Sequence, residues 1–328
     1  MNVTRFARRR GFTLVELLVV CAIVAVLLSM VLFALRGAAE QARIDRTRAQ
    51  INKINDLLMT RYEGYRQRPL PYRVSAATPQ GASVLKQEVL WELMRMELPE
   101  RIADVRDPSA KFGLQPSLWN AYRRKLVALT GSTAADPTAN WTERYSNAEC
   151  LYLILSTIRD GDSTGLDFFS ASEIRDLDGD NVPEIHDGWG RPIAFFRWAP
   201  GYTANNATYP VTGTLQSGDA TVQPDPFDPL GIYKTQNHFA LFPLVFSAGP
   251  DGRIATDPGD GSEYVWGYGL YPGSVQYASG TEMGPPVSPP KSPWFSMSSG
   301  PAPVGQPQLE DGYRTWEDNI TNHLQVVR

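Results

Sequence analysis

The residues best placed for chemistry lie between Asp176 and Asp187, in "DLDGDNVPEIHD", where Asp176, Asp178 and Asp180 alternate and Glu184 and Asp187 follow. Alternate carboxylates converge on one centre when the backbone curls around it, which is how calcium gathers its oxygen ligands. The spacing approximates an EF-hand loop, but Asn181 stands at its turn glycine, Pro183 at its central aliphatic and Asp187 at its bidentate glutamate. The residues that follow read as a strand rather than a helix. Two readings fit the loop, a calcium site and an ordinary solvated acidic turn. A third use of paired carboxylates is glycoside hydrolysis, with aromatic side chains holding the sugar, which would make the chain a membrane-anchored hydrolase.

Another carboxylate stands out for its surroundings. Arg8 to Val20 read "RRRGFTLVELLVV", and from Phe12 to Leu35 Glu16 is the only charged residue. As a helix this segment would span roughly 36 Å, against about 30 Å of membrane hydrocarbon. Arg5, Arg8, Arg9 and Arg10 precede it with no acid among them, which anchors that end in the cytoplasm and sends the rest of the chain across. The apolar run is too long for an ordinary secretory signal and no small-residue cleavage site follows it. An ionisable group within a spanning helix calls for a partner. The cation that fits is a new amino terminus at Phe12, created by cutting after Gly11.

In this form "RRRGFTLVELLVVCAIVAVLL" resembles the class III signal of type IV pilins and type II secretion pseudopilins. The resemblance implies a membrane peptidase that cuts between Gly11 and Phe12 and N-methylates Phe12. It also implies that Glu16 neutralises the terminal amine of a neighbouring subunit during assembly. Phe33 stands where many relatives carry a helix-bending proline. Downstream, "DGWGRPIAFF" (Asp187 to Phe196) is similar to the "D-x-W-G-x-P" turn and strand of the major pseudopilin, with Trp189, Gly190 and Pro192 matching. "SAGPDGRIATDPGDG" and "EDNITNH" resemble its calcium loop and closing segment. There the resemblance implies a structural calcium ion on Asp251 and Asp318, with Asp257 and Asp260 as contributors, and a long insertion between the two segments looped out.

The elements that must position these residues read as follows. Arg36 to Arg68 continues the helix, with Ile51, Ile54, Leu58, Tyr62 and Tyr65 on one face and Arg43, Asp45, Arg46, Arg48, Lys53 and Asp56 opposite. Three further helices are expected at Ser83 to Glu97, Ser117 to Leu129 and Asn147 to Ile158, none with a constellation that suggests chemistry. Pro192 to Trp198 and Phe239 to Ser247 are strand candidates, and Pro243 inside the second points to an edge or a bulge. Tyr277 to Leu309 is rich in proline and glycine and reads as an extended surface insertion. The expected fold class is α+β: a long amino-terminal helix, half membrane-spanning and half amphipathic, packed on a small antiparallel sheet, with extra helices and long loops. The expected division is a leader (1–11), an assembly helix (12–35), a head helix (36–68), a helical insertion (69–160) and a sheet and loop region (161–328).

Composition narrows the rest. Hydrophobic residues make up 42% of 328, enough for a packed core, which excludes a disordered chain. Without the four leader arginines, 27 basic residues face 35 acidic ones, and a mildly acidic body offers no footprint for nucleic acid. Cys21 lies in the apolar run and Cys150 in the head, so a disulfide between them is not expected, and Cys150 among leucines reads as a buried structural thiol.

The expectation is therefore a structural subunit rather than an enzyme, with calcium as a structural cofactor. It would be single-pass in the bacterial inner membrane, its head periplasmic. Its partners would be copies of itself, other pseudopilins, the prepilin peptidase and methyltransferase, and an inner-membrane secretion platform. The alternative is a type IV pilin for adhesion or DNA uptake, against which stands the lack of a carboxyl-terminal cysteine pair.

Overall fold

The computed structural model describes residues 13–70, 78–142, 145–206, 210–250 and 319–324. It is an α+β chain that divides into two compact units, up to Arg43 and from Ile44 onward. Helix α1, Leu14–Gly64, contributes to both.

In the first unit the large apolar side chains of α1 are exposed, among them Leu14, Leu17, Leu18, Ile23, Leu27 and Phe33. This stretch is long and apolar enough to cross a membrane, and in water such a surface would not stay uncovered.

In the second unit the same helix turns amphipathic. Ile51, Ile54, Leu58, Tyr62 and Tyr65 are all buried, so the three-and-four spacing in the sequence marks the true core face. On the outer side Arg46 pairs with Glu173 at 2.9 Å and Lys53 with Asp160 at 3.3 Å. The helix stops at Gly64, and its last turn is closed by short-range bonds such as Tyr65 N to Tyr62 O, 3.2 Å.

Four helices follow: α2 (Pro79–Glu97), α3 (Ile102–Arg106), α4 (Ser117–Thr130) and α5 (Ser146–Leu155). Thr78 caps α2 by accepting from Gly81 N, and Gly131 ends α4 in the left-handed conformation with φ 68°. Helix α5 is buried along its whole length, which explains why its sequence from Cys150 to Leu155 is a continuous apolar run rather than a stripe. Cys150 lies in it, fully buried with a free thiol that burial pushes up, as expected of a packing residue.

Two small ribbons come next, β1 (Arg159–Asp160) with β2 (Ser163–Thr164) and β3 (Ile174–Arg175) with β4 (Glu184–Ile185). The main sheet has three antiparallel strands in the order β5 (Ala194–Phe196), β6 (Leu244–Ser247), β7 (Ile320–Thr321). Phe195 stands opposite Val245, and Ser247 opposite Ile320. Both faces of this sheet are covered. Phe195 and Val245 join the main core with the α1 and α5 side chains, whereas Ala194, Phe196, Leu244 and Phe246 form a second cluster with Tyr202 and Val211. Successive residues therefore alternate between two apolar environments, and the strands read as continuous apolar runs.

Pro243 does not make β6 an edge or bulged strand: β6 is central and begins one residue later. Pro243 precedes the ladder, so its missing N–H costs nothing there, while its carbonyl accepts from Asn322 Nδ2 and His323 Nε2, both at 2.9 Å.

Candidate functional site

At the amino-terminal end, Thr13 and Glu16 bind reciprocally. Glu16 Oε2 accepts from Thr13 N at 2.9 Å and from Thr13 Oγ1 at 2.8 Å, and Thr13 Oγ1 accepts from Glu16 N at 3.2 Å. With Thr13 just ahead of α1 and Glu16 in its first turn, this is a capping box, which satisfies orphan amides and sets a carboxylate at the positive end of the helix. Sequence reasoning sought a partner for Glu16 only in another subunit. The T-x-x-E spacing before an apolar run was the signal for this local one. Gly11 and Phe12 lie outside the described residues.

The acidic loop closes on itself through its own backbone amides. Asp176 Oδ1 accepts from Gly179 N at 2.7 Å and Oδ2 from Asn181 N at 2.9 Å, while Asp180 Oδ1 accepts from Val182 N at 2.8 Å. Gly179 (φ 85°) and Asn181 (φ 74°) take left-handed conformations, so Asn181 makes the turn a glycine would, as asparagine can. Glu184, in β4, is buried and its Oε2 accepts from Leu177 N at 3.1 Å.

These carboxylates form two groups that share Asp178. One is Asp176, Asp178 and Glu184; the other is Asp178, Asp180 and Glu149, and in each an oxygen of every member lies within 4.8 Å of the other two. Glu149 comes from the first turn of α5, where sequence reasoning saw nothing chemical. Its only sign in the sequence was a lone acid inside "NAECLYLIL". Trp141 Nε1 donates to its Oε2 at 2.7 Å. Thr142 binds the loop from the same side, its N to Asp180 Oδ2 at 2.7 Å and its hydroxyl to Asp178.

The electrostatics of the cluster are unfavourable. Burial, followed by the charge of Asp180, pushes Glu149 up to about 11, and burial raises Asp180 and Glu184 as well. Among the described residues the one basic group at ion-pair distance is His186, whose Nε2 lies 3.8 Å from Glu184 Oε2.

Asp187 stands apart from both groups. Its Oδ1 accepts from Trp189 N at 2.8 Å and Arg191 N at 2.9 Å, and its Oδ2 accepts from Ser247 Oγ at 2.6 Å. It thus organises the "DGWG" turn, where Gly190 adopts φ 83°, and ties it to β6. Asp251, Asp257, Asp260 and Asp318 lie outside the described residues.

A second buried network is structural. Arg197 binds Glu100 at 2.9 Å and Asp104 at 3.2 Å, and its Nη1 also donates to Leu98 O at 2.8 Å. Burial pushes Asp104 up, but Arg197, Arg101 and Arg95 together outweigh it and hold the carboxyl at about 2. These groups pair chiefly with one another inside the core.

Comparison with known proteins bears on the amino-terminal end alone. Residues 6–32 match the family model of the prokaryotic N-terminal methylation motif, the class III signal of type IV pilin-like proteins. Neither a search of curated proteins nor one of solved structures finds a match.

Proposed function

We propose that the chain is a pseudopilin: a structural subunit that is cut after Gly11, N-methylated on Phe12, and polymerised through α1 into a short filament of a type II secretion-like machine. The observation that carries this reading is the methylation motif at residues 6–32, set on a helix long and apolar enough to span a membrane. Before assembly the arginines hold the amino terminus in the cytoplasm, α1 crosses the inner membrane once, and the head is periplasmic. In the filament, neighbouring α1 helices cover one another's exposed apolar faces. Glu16 pairs with the terminal amine of the next subunit.

The head does mechanical work and carries no catalytic role on this reading. Its partners are further copies, other pseudopilins, the peptidase and methyltransferase, and the secretion platform. The two cysteines, Cys21 and Cys150, are both free, so no disulfide of theirs closes a pilin-type loop, which favours the secretion filament over a surface pilus. The test is mass spectrometry of the chain after co-expression with a prepilin peptidase. The expected species starts at Phe12 and carries one added methyl group. A mature chain that still begins at Met1 or Gly11 overturns the proposal.

A further inference from the structure

Glu149 and Glu184 reach the acidic loop from two different elements, α5 and β4, and both are wholly buried. Each keeps one oxygen, Oε1, buried without a hydrogen-bond partner, and so does Asp178 at Oδ1. An orphaned carboxylate oxygen in a protein interior is costly, and three in one cluster are not what a solvated acidic turn produces. Something of opposite charge belongs among them.

We propose that Glu149, Asp178 and Asp180 hold a divalent cation, calcium, with Glu184 joining through the shared Asp178, so that the ion ties the first turn of α5 to the Asp176–Asp187 loop. The donor set is oxygen throughout, with no thiolate and no imidazole in either group, which selects a hard cation over zinc or copper. Oxygens on opposite sides of a calcium ion stand about 4.8 Å apart, given calcium–oxygen distances near 2.4 Å, and the grouped oxygens fall within that span. Calcium also accepts the irregular shell that a loop and a helix terminus provide, whereas magnesium demands a near-octahedral one and retains its waters. The ion offsets the mutual repulsion of the carboxylates and binds the orphaned oxygens of Glu149 and Asp178, with Glu184 in the adjoining group. Glu149 decides the site, because it alone brings the helical layer to the loop. This inference is independent of the filament reading.

The test uses the full-length chain in detergent, stripped with a chelator and then titrated with terbium. Trp141, hydrogen-bonded to Glu149, would sensitise terbium emission, and calcium should compete it away. Calcium should also raise the melting temperature of the wild type by about 5 °C at saturation. Glu149→Gln and, separately, Asp178→Asn should weaken calcium binding by at least about tenfold and abolish the melting shift, yet melt no lower than the wild type in chelator. An Asp251→Asn/Asp318→Asn chain should keep the Trp141-sensitised signal, which separates this site from any ion held by the later loop. The proposal is overturned if the wild type binds neither terbium nor calcium, a proton shared between carboxyls then accounting for the cluster. It is equally overturned if both single variants bind calcium as tightly as the wild type.

Discussion

Replacing Asn322 with alanine should detach the end of the chain from the head. This side chain, 6% exposed, makes three bonds: its Nδ2 donates to Asn55 Oδ1 in α1 at 2.8 Å and to Pro243 O at 2.9 Å, and its Oδ1 accepts from Val245 N in β6 at 2.8 Å. Pro243 O retains His323 as a donor and Asn55 lies near the surface of α1, so those two losses amount to about 1 kcal/mol each. Val245 N–H is different, because it would be left buried in the central strand without an acceptor, which costs about 1–3 kcal/mol. The sum is about 3–5 kcal/mol, and for a domain of this size that lowers the melting temperature by roughly 5–8 °C. Thermal melts of the full chain in detergent read the shift, and amide exchange at Val245 reads its cause. Asn55→Ala removes one acceptor only and should lose about 1 kcal/mol. An Asn322→Ala chain that melts within about 2 °C of the wild type, with Val245 still protected, would refute the reasoning.

Two further outcomes follow from the buried charges. Arg197→Met should lower stability by about 3–5 kcal/mol, because Glu100 and Asp104 remain in the core without their main counter-charge, and denaturant melts measure it. His323 is buried neutral: burial lowers it to about 4, and only a weaker contribution from the Pro243 carbonyl opposes this. Its folded pKa lies below the unfolded 6.5, so its contribution is complete above that value and is lost as the pH falls toward 4. The depression corresponds to about 3 kcal/mol, and the difference in unfolding free energy between wild type and His323→Gln, from denaturant melts, should shrink by that amount between pH 7.5 and pH 4, being unchanged if His323 is not the sensor.

What the sequence disclosed depended on whether the relevant force was local. The buried face of α1 was legible because burial on one side of a helix leaves a three-and-four stripe, and Ile51 to Tyr65 carry it. Helices α2 and α4 were legible for similar reasons and α5 through its apolar run, although α2 begins earlier, at Pro79, under a cap that the sequence offered in Thr78. The ribbons β1 to β4 were not, since strands two residues long leave no alternation to read. The central position of β6 was hidden because the pairing that sets it comes from Ile320 and Thr321, far along the chain. Glu149 was missed for the same reason: its neighbours in sequence are apolar, and what makes it chemical is the return of Asp178 and Asp180 to its side. Arg197 likewise meets its acids only through the fold. Asp187 differs from the grouped acids: nearby amides and Ser247 bind both its oxygens, contacts that the spacing of the loop did not reveal.

Glu16 joins the local and the collective sides of the molecule. A charged carboxylate at the centre of a spanning helix costs about 2.5–3.5 kcal/mol on insertion scales. The capping box lowers that cost by placing the group in the first turn, where two Thr13 donors and the positive end of α1 meet it. Capping does not remove the charge, however, because Thr13 supplies hydrogen bonds and no counter-ion. On the proposed reading this residual charge is what makes assembly selective: a cationic amine from another subunit gains most where the carboxylate is already oriented. A carboxylate held still by its own helix also loses little further freedom on pairing. On that reading the cap and the subunit contact would be successive uses of one side chain, the first preparing the geometry for the second.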